Sequence, residues 1–153
     1  MSETALADME GEGLETSRTV RLRVPARAEY IALSRLALSG IAELSRLSEE
    51  DVADLKLALT EAVSNSVRHA YGGGEGYVSI SYSLSTRSLE IEVVDDGAGF
   101  DPAVPAQLEG DELSEGGLGI AIIRTVADEL EISSRAGERG SRLRFVKHLQ
   151  PAQ

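Results

Sequence analysis

The sequence predicts a two-layer α/β domain in which helices cover one face of a mixed or antiparallel sheet. Its segments alternate between the two-residue period of strands and the longer period of amphipathic helices. They follow the order strand, two helices, two strands, long loop, helix and two strands. Helices stacked on one sheet face would bury both amphipathic surfaces in a single core. The chain of 153 residues suits one such domain, which we place at 18–150.

The first half of the chain predicts a strand followed by two helices. Apolar residues alternate with arginines from Arg18 until Pro25, as in a half-buried strand. Apolar residues then recur at helical spacing, which predicts the first helix over 27–46. Ser48, followed three residues later by an acid, resembles a capping box that starts the second helix. We expect that helix to end near His69, ahead of a glycine-rich stretch.

The second half predicts two hairpins separated by a loop and a helix. Each hairpin consists of two alternating apolar runs joined by a short polar turn. The loop between them holds glycines, prolines and acids, and long loops in compact domains are often lids or binding segments. The predicted ranges are 78–84 and 89–95 for the first hairpin, 96–116 for the loop, about 120–127 for the helix, and 130–135 and 141–149 for the second hairpin.

Composition argues against several classes of function. Fifteen Lys and Arg against 26 Asp and Glu give a net charge of −11, which disfavours a surface that neutralises nucleic-acid phosphates. The absence of cysteine excludes disulfides and thiolate chemistry, and it fits a reducing compartment. No apolar run is long enough to span a bilayer, and no signal peptide is present. We therefore expect an acidic cytoplasmic protein without membrane or nucleic-acid binding, with residues 1–17 as a disordered acidic tail.

The first candidate site segment is a carboxylate and an amide on the second helix, Glu61 and Asn65. Four residues make about one helical turn, so these side chains share a stripe, which we expect to lie away from the apolar stripe. Together they offer a proton acceptor and a hard oxygen ligand for Mg²⁺. Taken alone, such a pair is more typical of a solvated helix face.

The second segment, Asp95-Asp96-Gly97-Ala98-Gly99, stands at the end of a predicted strand. Its glycines permit a close approach between the backbone and a ligand. A carboxylate here can accept a hydrogen bond from the exocyclic amino group of adenine, which guanine lacks at that edge. Asp-Gly is also a common turn pair, so a simple strand-ending turn remains the alternative.

The third segment, Gly116-Gly117-Leu118-Gly119, runs directly into the third helix. Glycines before a helix expose backbone N–H groups at the positive end of its dipole, where phosphates bind well. A flexible linker at a helix start would have the same composition. The only lysines are Lys56 and Lys147, so a Walker-type phosphate loop is absent.

In this order and spacing, the three segments resemble the N box, D-x-G-x-G box and second glycine box of the GHKL ATPase superfamily. The match narrows to the bacterial anti-sigma-factor serine kinases of the RsbW and SpoIIAB type, and it covers about 20–149. The matching residues are Glu61 to Asn65 with His69 to Tyr71, Val93 to Phe100, Leu113 to Gly119, and the terminal Lys147 to Leu149.

The resemblance implies a Bergerat-type ATP-binding fold and an ATP-dependent anti-sigma factor. Such a protein binds Mg·ATP, sequesters a sigma factor, and phosphorylates a serine of a STAS-type anti-anti-sigma factor. Relatives also form homodimers through the first helix. Two alternatives stay open: a non-catalytic, ATP-gated binding module, and a GHKL serine kinase that acts on another signalling partner.

The same resemblance implies the roles of individual residues. Glu61 would accept the proton of the attacking hydroxyl, Asn65 would bind nucleotide-bound Mg²⁺, and Asp95 would bind adenine. Ser141 stands where the family often has a threonine near adenine, and Arg35 matches an arginine that contacts a partner. The remaining nucleotide-binding positions are Gly97 and Gly99 in the adenine pocket, and Gly117, Leu118 and Gly119 in the phosphate loop.

One departure from the family concerns charge near the triphosphate. The chain has no Lys or Arg between Arg87 and Arg124, and Glu115 stands before the glycine box where some relatives have an arginine. Neutralisation of the phosphates then falls to Mg²⁺, to backbone N–H groups, or to a base elsewhere such as Arg68, close to one turn after Asn65.

Overall fold

A computed structural model describes residues 17–70, 76–95, 116–134 and 140–149. Most of the predicted tail at 1–17 and of the predicted loop at 96–116 lies outside these ranges. A short 3₁₀ turn, Ala28–Tyr30, precedes the first α-helix. The strands are β1 (Arg18–Pro25), β2 (Tyr77–Leu84), β3 (Ser88–Asp95), β4 (Glu129–Ser134) and β5 (Ser141–His148), and the α-helices are α1 (Ile31–Ala42), α2 (Glu49–Ala70) and α3 (Gly116–Val126).

The five strands form one sheet in the order β1-β2-β3-β5-β4. Every neighbouring pair is antiparallel, so of the two predicted arrangements the antiparallel one is correct. Both predicted hairpins are present, with β3 in the centre of the sheet between β2 and β5. The carboxyl end of β3 therefore lies between two other strands, where Asp95 pairs in register with Val78 and Ser141.

The helices pack against one face of this sheet, as predicted. Alternate residues of β2 and β3 are buried in a core that they share with α1, α2 and α3, which is the arrangement expected of a two-layer α/β domain. The fully buried side chains include Leu38 of α1, Leu55 and Leu59 of α2, Ile123 of α3, and Ile80, Tyr82, Ile91 and Phe145 of the sheet.

The opposite sheet face is polar and carries a network of ion pairs. Arg142 pairs with Glu92, and Arg144 Nε lies 2.9 Å from Glu90 Oε2. The hydrogen bond to Glu90 raises the pKa of Arg144 above its ordinary value. Because these side chains are partly exposed, each pair contributes only about 0–1 kcal/mol. Any buried site must therefore lie on the helix-covered side.

Helix α1 is shorter than the predicted 27–46. At its carboxyl end, the N–H of Leu44 donates to Ile41 O at 2.9 Å and the N–H of Ser45 donates to Ala42 O at 3.0 Å. The Ser45 hydroxyl also donates to Ala42 O at 2.9 Å. Serine side chains that compete for terminal carbonyls in this way favour turns over helix continuation, which the apolar spacing alone does not reveal.

Helix α2 begins where the capping pattern predicts. The N–H of Asp51 donates to the Ser48 hydroxyl at 3.0 Å, which satisfies one of the unpaired donors at the helix start. Three acids occupy the first turn, where they interact favourably with the helix dipole. The helix then runs for 22 residues and presents Glu61 and Asn65 near its middle.

Tyr82 connects the sheet to α1 through a buried hydrogen bond. Its hydroxyl donates to Ser34 O at 2.7 Å, and its side chain is 0% exposed. Burial raises the pKa of Tyr82 well above its ordinary value. Tyr82→Phe is expected to lower the free energy of unfolding at pH 7 by about 1 kcal/mol, the usual net value of such a bond.

The pH dependence of the same variant provides a second test. Above about pH 10 the unfolded chain loses the phenolic proton while the folded chain keeps it. The contribution of Tyr82 to stability is therefore complete below that pH and falls by up to about 1.4 kcal/mol per pH unit above it. Urea unfolding between pH 7 and 11 should show this slope in the wild type and in Tyr77→Phe, since Tyr77 is 46% exposed. An unchanged slope in Tyr82→Phe would contradict the prediction.

Candidate active site

Buried polar side chains identify the site. In the described part of the chain, the buried polar side chains are those of Ser34, Asn65, Ser66 and Asp95. The Ser34 hydroxyl is satisfied within its own helix, since it donates to Ile31 O at 2.6 Å. The other three lie on α2 and at the end of β3. Ligand sites typically carry a few buried polar groups that fix the orientation of the ligand, so these positions are candidates for contact with a ligand.

The stripe formed by Glu61 and Asn65 is not a solvated helix face. Asn65 is only 8% exposed and Glu61 is half-buried. Helix α3 packs against α2, and its Gly119 lies against Glu61. The expectation that the stripe lies well away from the buried surface is therefore wrong. No hydrogen bond to the Asn65 side chain is found within the described residues.

The glycine segment forms the first turn of α3 instead of a linker before it. The helix begins at Gly116, so Gly117, Leu118 and Gly119 are helical. The first four N–H groups of a helix lack internal partners and lie at the positive end of its dipole. An ideal Cβ built on Gly119 would lie 2.6 Å from Glu61 Oε1. The Glu61 carboxylate is therefore in contact with the turn that offers these donors.

Asp95 is held at the end of β3 by a neighbouring strand. It is 3% exposed, and the Ser141 hydroxyl donates to Asp95 Oδ2 at 2.7 Å. Gly140, directly before Ser141, has a φ of 107°, a conformation that favours glycine. This glycine lets the chain enter β5 with Ser141 opposite Asp95. Gly140 is not among the predicted site residues, although an isolated glycine before a strand is a usable signal.

The structure brings some of the predicted residues together and leaves others apart. Glu61 contacts Gly119, and Asp95 contacts Ser141. Arg35 is exposed on α1 and makes no hydrogen bond or ion pair with the described residues. Gly97 and Gly99 lie outside the described residues, and so does the Leu118 side chain. The roles of all these residues stay predictions.

Lys147 connects the two helices that carry the site. Its ammonium donates to Val126 O at 3.3 Å, at the end of α3, and lies 3.9 Å from Asp51 Oδ1 in the first turn of α2. A cation at a helix carboxyl end is favourable. In the sequence, Lys147 stood out only as one of the terminal residues that resemble the family. Its contacts with α2 and α3 were not predicted, because contacts between distant elements leave no periodic signal in the sequence.

Comparison with known proteins agrees with this geometry. Residues 24–147 match the family model of the histidine kinase-like ATPase domain. Serine-protein kinase RsbW of Bacillus velezensis is 37% identical over 128 residues, 77% of this chain and 79% of that protein. The RsbW of Listeria innocua is 39% identical over 122 residues, 74% of this chain and 78% of that protein. The chain belongs to the RsbW serine-protein kinases of the histidine kinase-like ATPase family.

Solved structures support the same fold. The RsbU and RsbW domains of a Mycobacterium tuberculosis protein match with a TM-score of 0.64 and 19% identity, over 89% of this chain and 34% of that one. The histidine kinase domain of a blue-light activated histidine kinase from Erythrobacter litoralis matches with a TM-score of 0.55 and 22% identity, over 82% of this chain and 61% of that one. These likenesses confirm the predicted GHKL-type α/β fold.

Membership among the RsbW kinases confirms the prediction of an ATP-dependent, anti-sigma-type serine kinase. The matched domain is described as an ATPase domain, which agrees with the predicted use of ATP. None of the helices in the described ranges is long and apolar enough to cross a membrane.

Proposed function

We propose that this RsbW-family kinase binds Mg·ATP, sequesters a sigma factor, and phosphorylates a serine of a STAS-type anti-anti-sigma factor in the cytoplasm as a homodimer. The single observation that carries the catalytic part is the contact between Glu61 and the first turn of α3. It places a proton acceptor beside the donors suited to bind phosphates. A kinase needs this juxtaposition, whereas a protein that only binds partners does not.

The adenine end of the proposed site consists of Asp95 and Ser141. The Ser141 hydroxyl holds Asp95 Oδ2 at 2.7 Å, which fixes the plane of the carboxylate in a buried position. A fixed, buried acceptor can bind the exocyclic amino group of adenine with little loss of side-chain entropy. Selection of ATP over GTP therefore depends on this one carboxylate.

The residues present fit a nucleotide-bound Mg²⁺. Asn65 offers a buried amide oxygen with no competing hydrogen bond in the described residues, and Mg²⁺ in kinases is usually held by few protein oxygens together with phosphates. When bound, the ion would supply positive charge to the triphosphate. The chain itself supplies little, because no Lys or Arg occurs between Arg87 and Arg124. Arg68, exposed on α2, is the base nearest in sequence to Asn65.

In the proposed reaction, Glu61 accepts the proton of the substrate seryl hydroxyl as its oxygen attacks the γ-phosphorus. The bond from that phosphorus to the bridging oxygen breaks, and ADP leaves. The N–H groups of α3 hold the phosphates in line with the attacking oxygen throughout. Protein contributions to phosphoryl transfer are mainly positioning and electrostatic, so the contact between α2 and α3 is the part of the fold that matters most.

The proposed partner surface is the outer side of α1. Leu36 is 67% exposed and Leu33 is 43% exposed, three residues apart on one helical face. Arg35 is exposed beside them. Exposed apolar side chains grouped with a charge are typical of protein–protein contacts. Both self-association and sigma-factor binding are assigned to this surface in our proposal.

Arg35→Glu tests the partner surface. Reversal of this charge is expected to weaken sigma-factor binding at least about 10-fold, as close interfacial charges do. ATP affinity should be unchanged, because Arg35 is exposed on α1 whereas the proposed nucleotide contacts lie on α2, α3, β3 and β5. Calorimetry with the sigma factor and with Mg·ATP measures both affinities. Arg18→Glu, the same change on an exposed arginine of β1, is the matched control. Equal loss in both variants would indicate a general charge effect and contradict the assignment.

The complete proposal is tested by phosphotransfer. Purified protein, Mg·ATP and a STAS-type anti-anti-sigma protein from the same organism should yield phosphoserine on that partner, detected by mass spectrometry. Nucleotide binding without transfer would contradict the kinase assignment for this partner. Co-purification of proteins from cells then separates the two remaining functions: a different phosphorylated partner indicates another signalling kinase, and a sigma factor alone indicates an ATP-gated binding module.

A further inference from the structure

We propose that Gly119 is a positioning residue for the Glu61 carboxylate, and that a side chain is excluded there by the carboxylate and not by the phosphates. The inference rests on the proposed kinase function, and it assigns Gly119 a task beyond its expected place in the phosphate loop. It predicts a specific split between nucleotide binding and the rate of transfer.

The contact is defined by three distances. An ideal Cβ on Gly119 would lie 2.6 Å from Glu61 Oε1 and 3.5 Å from both Glu61 Cβ and Cδ. Real Cβ contacts below 3.0 Å are essentially never seen, so a methyl group at this position must displace the carboxylate. The other two contacts are ordinary. Since the atom in the way is the far end of a flexible side chain, the carboxylate moves and the fold remains.

A methyl group on Gly119 would leave the phosphate-binding donors in place. The Cα–Cβ bond of a helical residue points outward with a tilt toward the helix N-terminus. On Gly119 the three atoms nearest to such a Cβ all belong to Glu61, whereas the unpaired N–H groups at the helix start point along the helix axis. The space that a Cβ on Gly119 would occupy is therefore on the α2 side of α3. The glycine segment therefore has two separable roles. Its backbone N–H groups are donors for the phosphates, and the absence of a side chain on Gly119 leaves space for the Glu61 carboxylate.

Displacement of a catalytic group by about 1 Å can lower a rate about 100-fold. Gly119→Ala is therefore expected to reduce kcat for transfer about 100-fold at saturating ATP, with the Kd for Mg·ATP changed less than about 3-fold. The matched control is Gly40→Ala, which makes the same change inside helix α1, where a Cβ would meet nothing within 4 Å. Its Kd for Mg·ATP should equal that of the wild type, because the proposed nucleotide contacts lie on other elements.

Two results would overturn the inference. If the loss in Gly119→Ala appears mainly in the Kd for ATP, Gly119 serves the phosphates directly. If Gly119→Ala does not fold, as judged by circular dichroism and thermal unfolding, then more than a flexible carboxylate occupies the space. A crystal structure of Gly119→Ala provides a readout apart from activity: the Glu61 carboxylate should have moved by about 1 Å or more relative to the wild-type crystal, and an unmoved carboxylate contradicts the proposal.

A double-mutant cycle gives the sharpest test. In a Glu61→Gln background no carboxylate remains to be misplaced, so Gly119→Ala should change the residual rate less than about 2-fold. A further 100-fold loss in the double variant would show that the two residues act independently and would reject the inference. Absence of transfer by the wild type would instead reject the proposed function, while the crystallographic comparison would still decide the steric relation.

Discussion

Glu61→Gln is expected to lower the rate of phosphoryl transfer by about 10²–10⁴-fold, the usual contribution of a positioned proton acceptor. The amide keeps the shape of the carboxylate but cannot accept the hydroxyl proton. The half-buried side chain is otherwise preserved, so the contact with α3 should remain. Because the proposed role of Glu61 concerns the attacking serine and not the nucleotide, the Kd for Mg·ATP should change less than about 3-fold.

Single-turnover transfer from labelled ATP to the anti-anti-sigma protein measures this loss, and calorimetry measures nucleotide affinity. Glu50→Gln is the matched control, because Glu50 is an exposed acid in the first turn of the same helix. That change removes one negative charge from α2 far along the helix from Asn65. A similar rate loss in both variants would mean that overall charge, and not proton acceptance by Glu61, limits transfer.

The fold was largely predictable because its signals are local. Period-two alternation in β2 and β3, the Ser48 cap of α2, and the glycines that bound the elements all lie within short windows. The end of α1 was not predictable in this way. There the Ser45 hydroxyl donates a hydrogen bond to the Ala42 carbonyl, and the spacing of apolar residues carries no information about such a bond. The choice between a mixed and an antiparallel sheet likewise depends on how distant strands pair.

The candidate site shows the same division between local pattern and distant contact. Spacing placed Glu61 and Asn65 on one stripe, but it could not show that Gly119 of α3 lies against Glu61 or that Asn65 is only 8% exposed. The sequence pattern also predicted one common role, phosphate binding, for the whole segment Gly116 to Gly119. The three-dimensional structure distinguishes Gly119 from the other glycines of the segment, because a side chain on Gly119 would collide with Glu61. This contact is the basis for proposing that Gly119 positions the Glu61 carboxylate.

Asp95→Asn is expected to weaken ATP binding at least 10-fold, because a hydrogen bond to a charged group contributes about 1.5–3 kcal/mol. The reason lies in Ser141. Its hydroxyl donates to Asp95 Oδ2, so in the variant it should retain the amide oxygen and turn the amide nitrogen toward adenine. Two donors would then face each other. Calorimetric titration with Mg·ATP and Mg·GTP measures the loss.

Because Ser141 is expected to orient the side chain at position 95, the preference for ATP over GTP can be tested with one more substitution. Guanine presents an acceptor where adenine presents its amino group, so Asp95→Asn should narrow the preference for ATP over GTP. Ser141→Ala alone should cost ATP binding less than about 10-fold, since the carboxylate still accepts. Added to Asp95→Asn, it frees the amide to rotate its oxygen toward adenine, and ATP affinity should partly recover. If the double variant binds ATP more weakly than Asp95→Asn, Ser141 contacts the nucleotide itself and does not act by orienting Asp95.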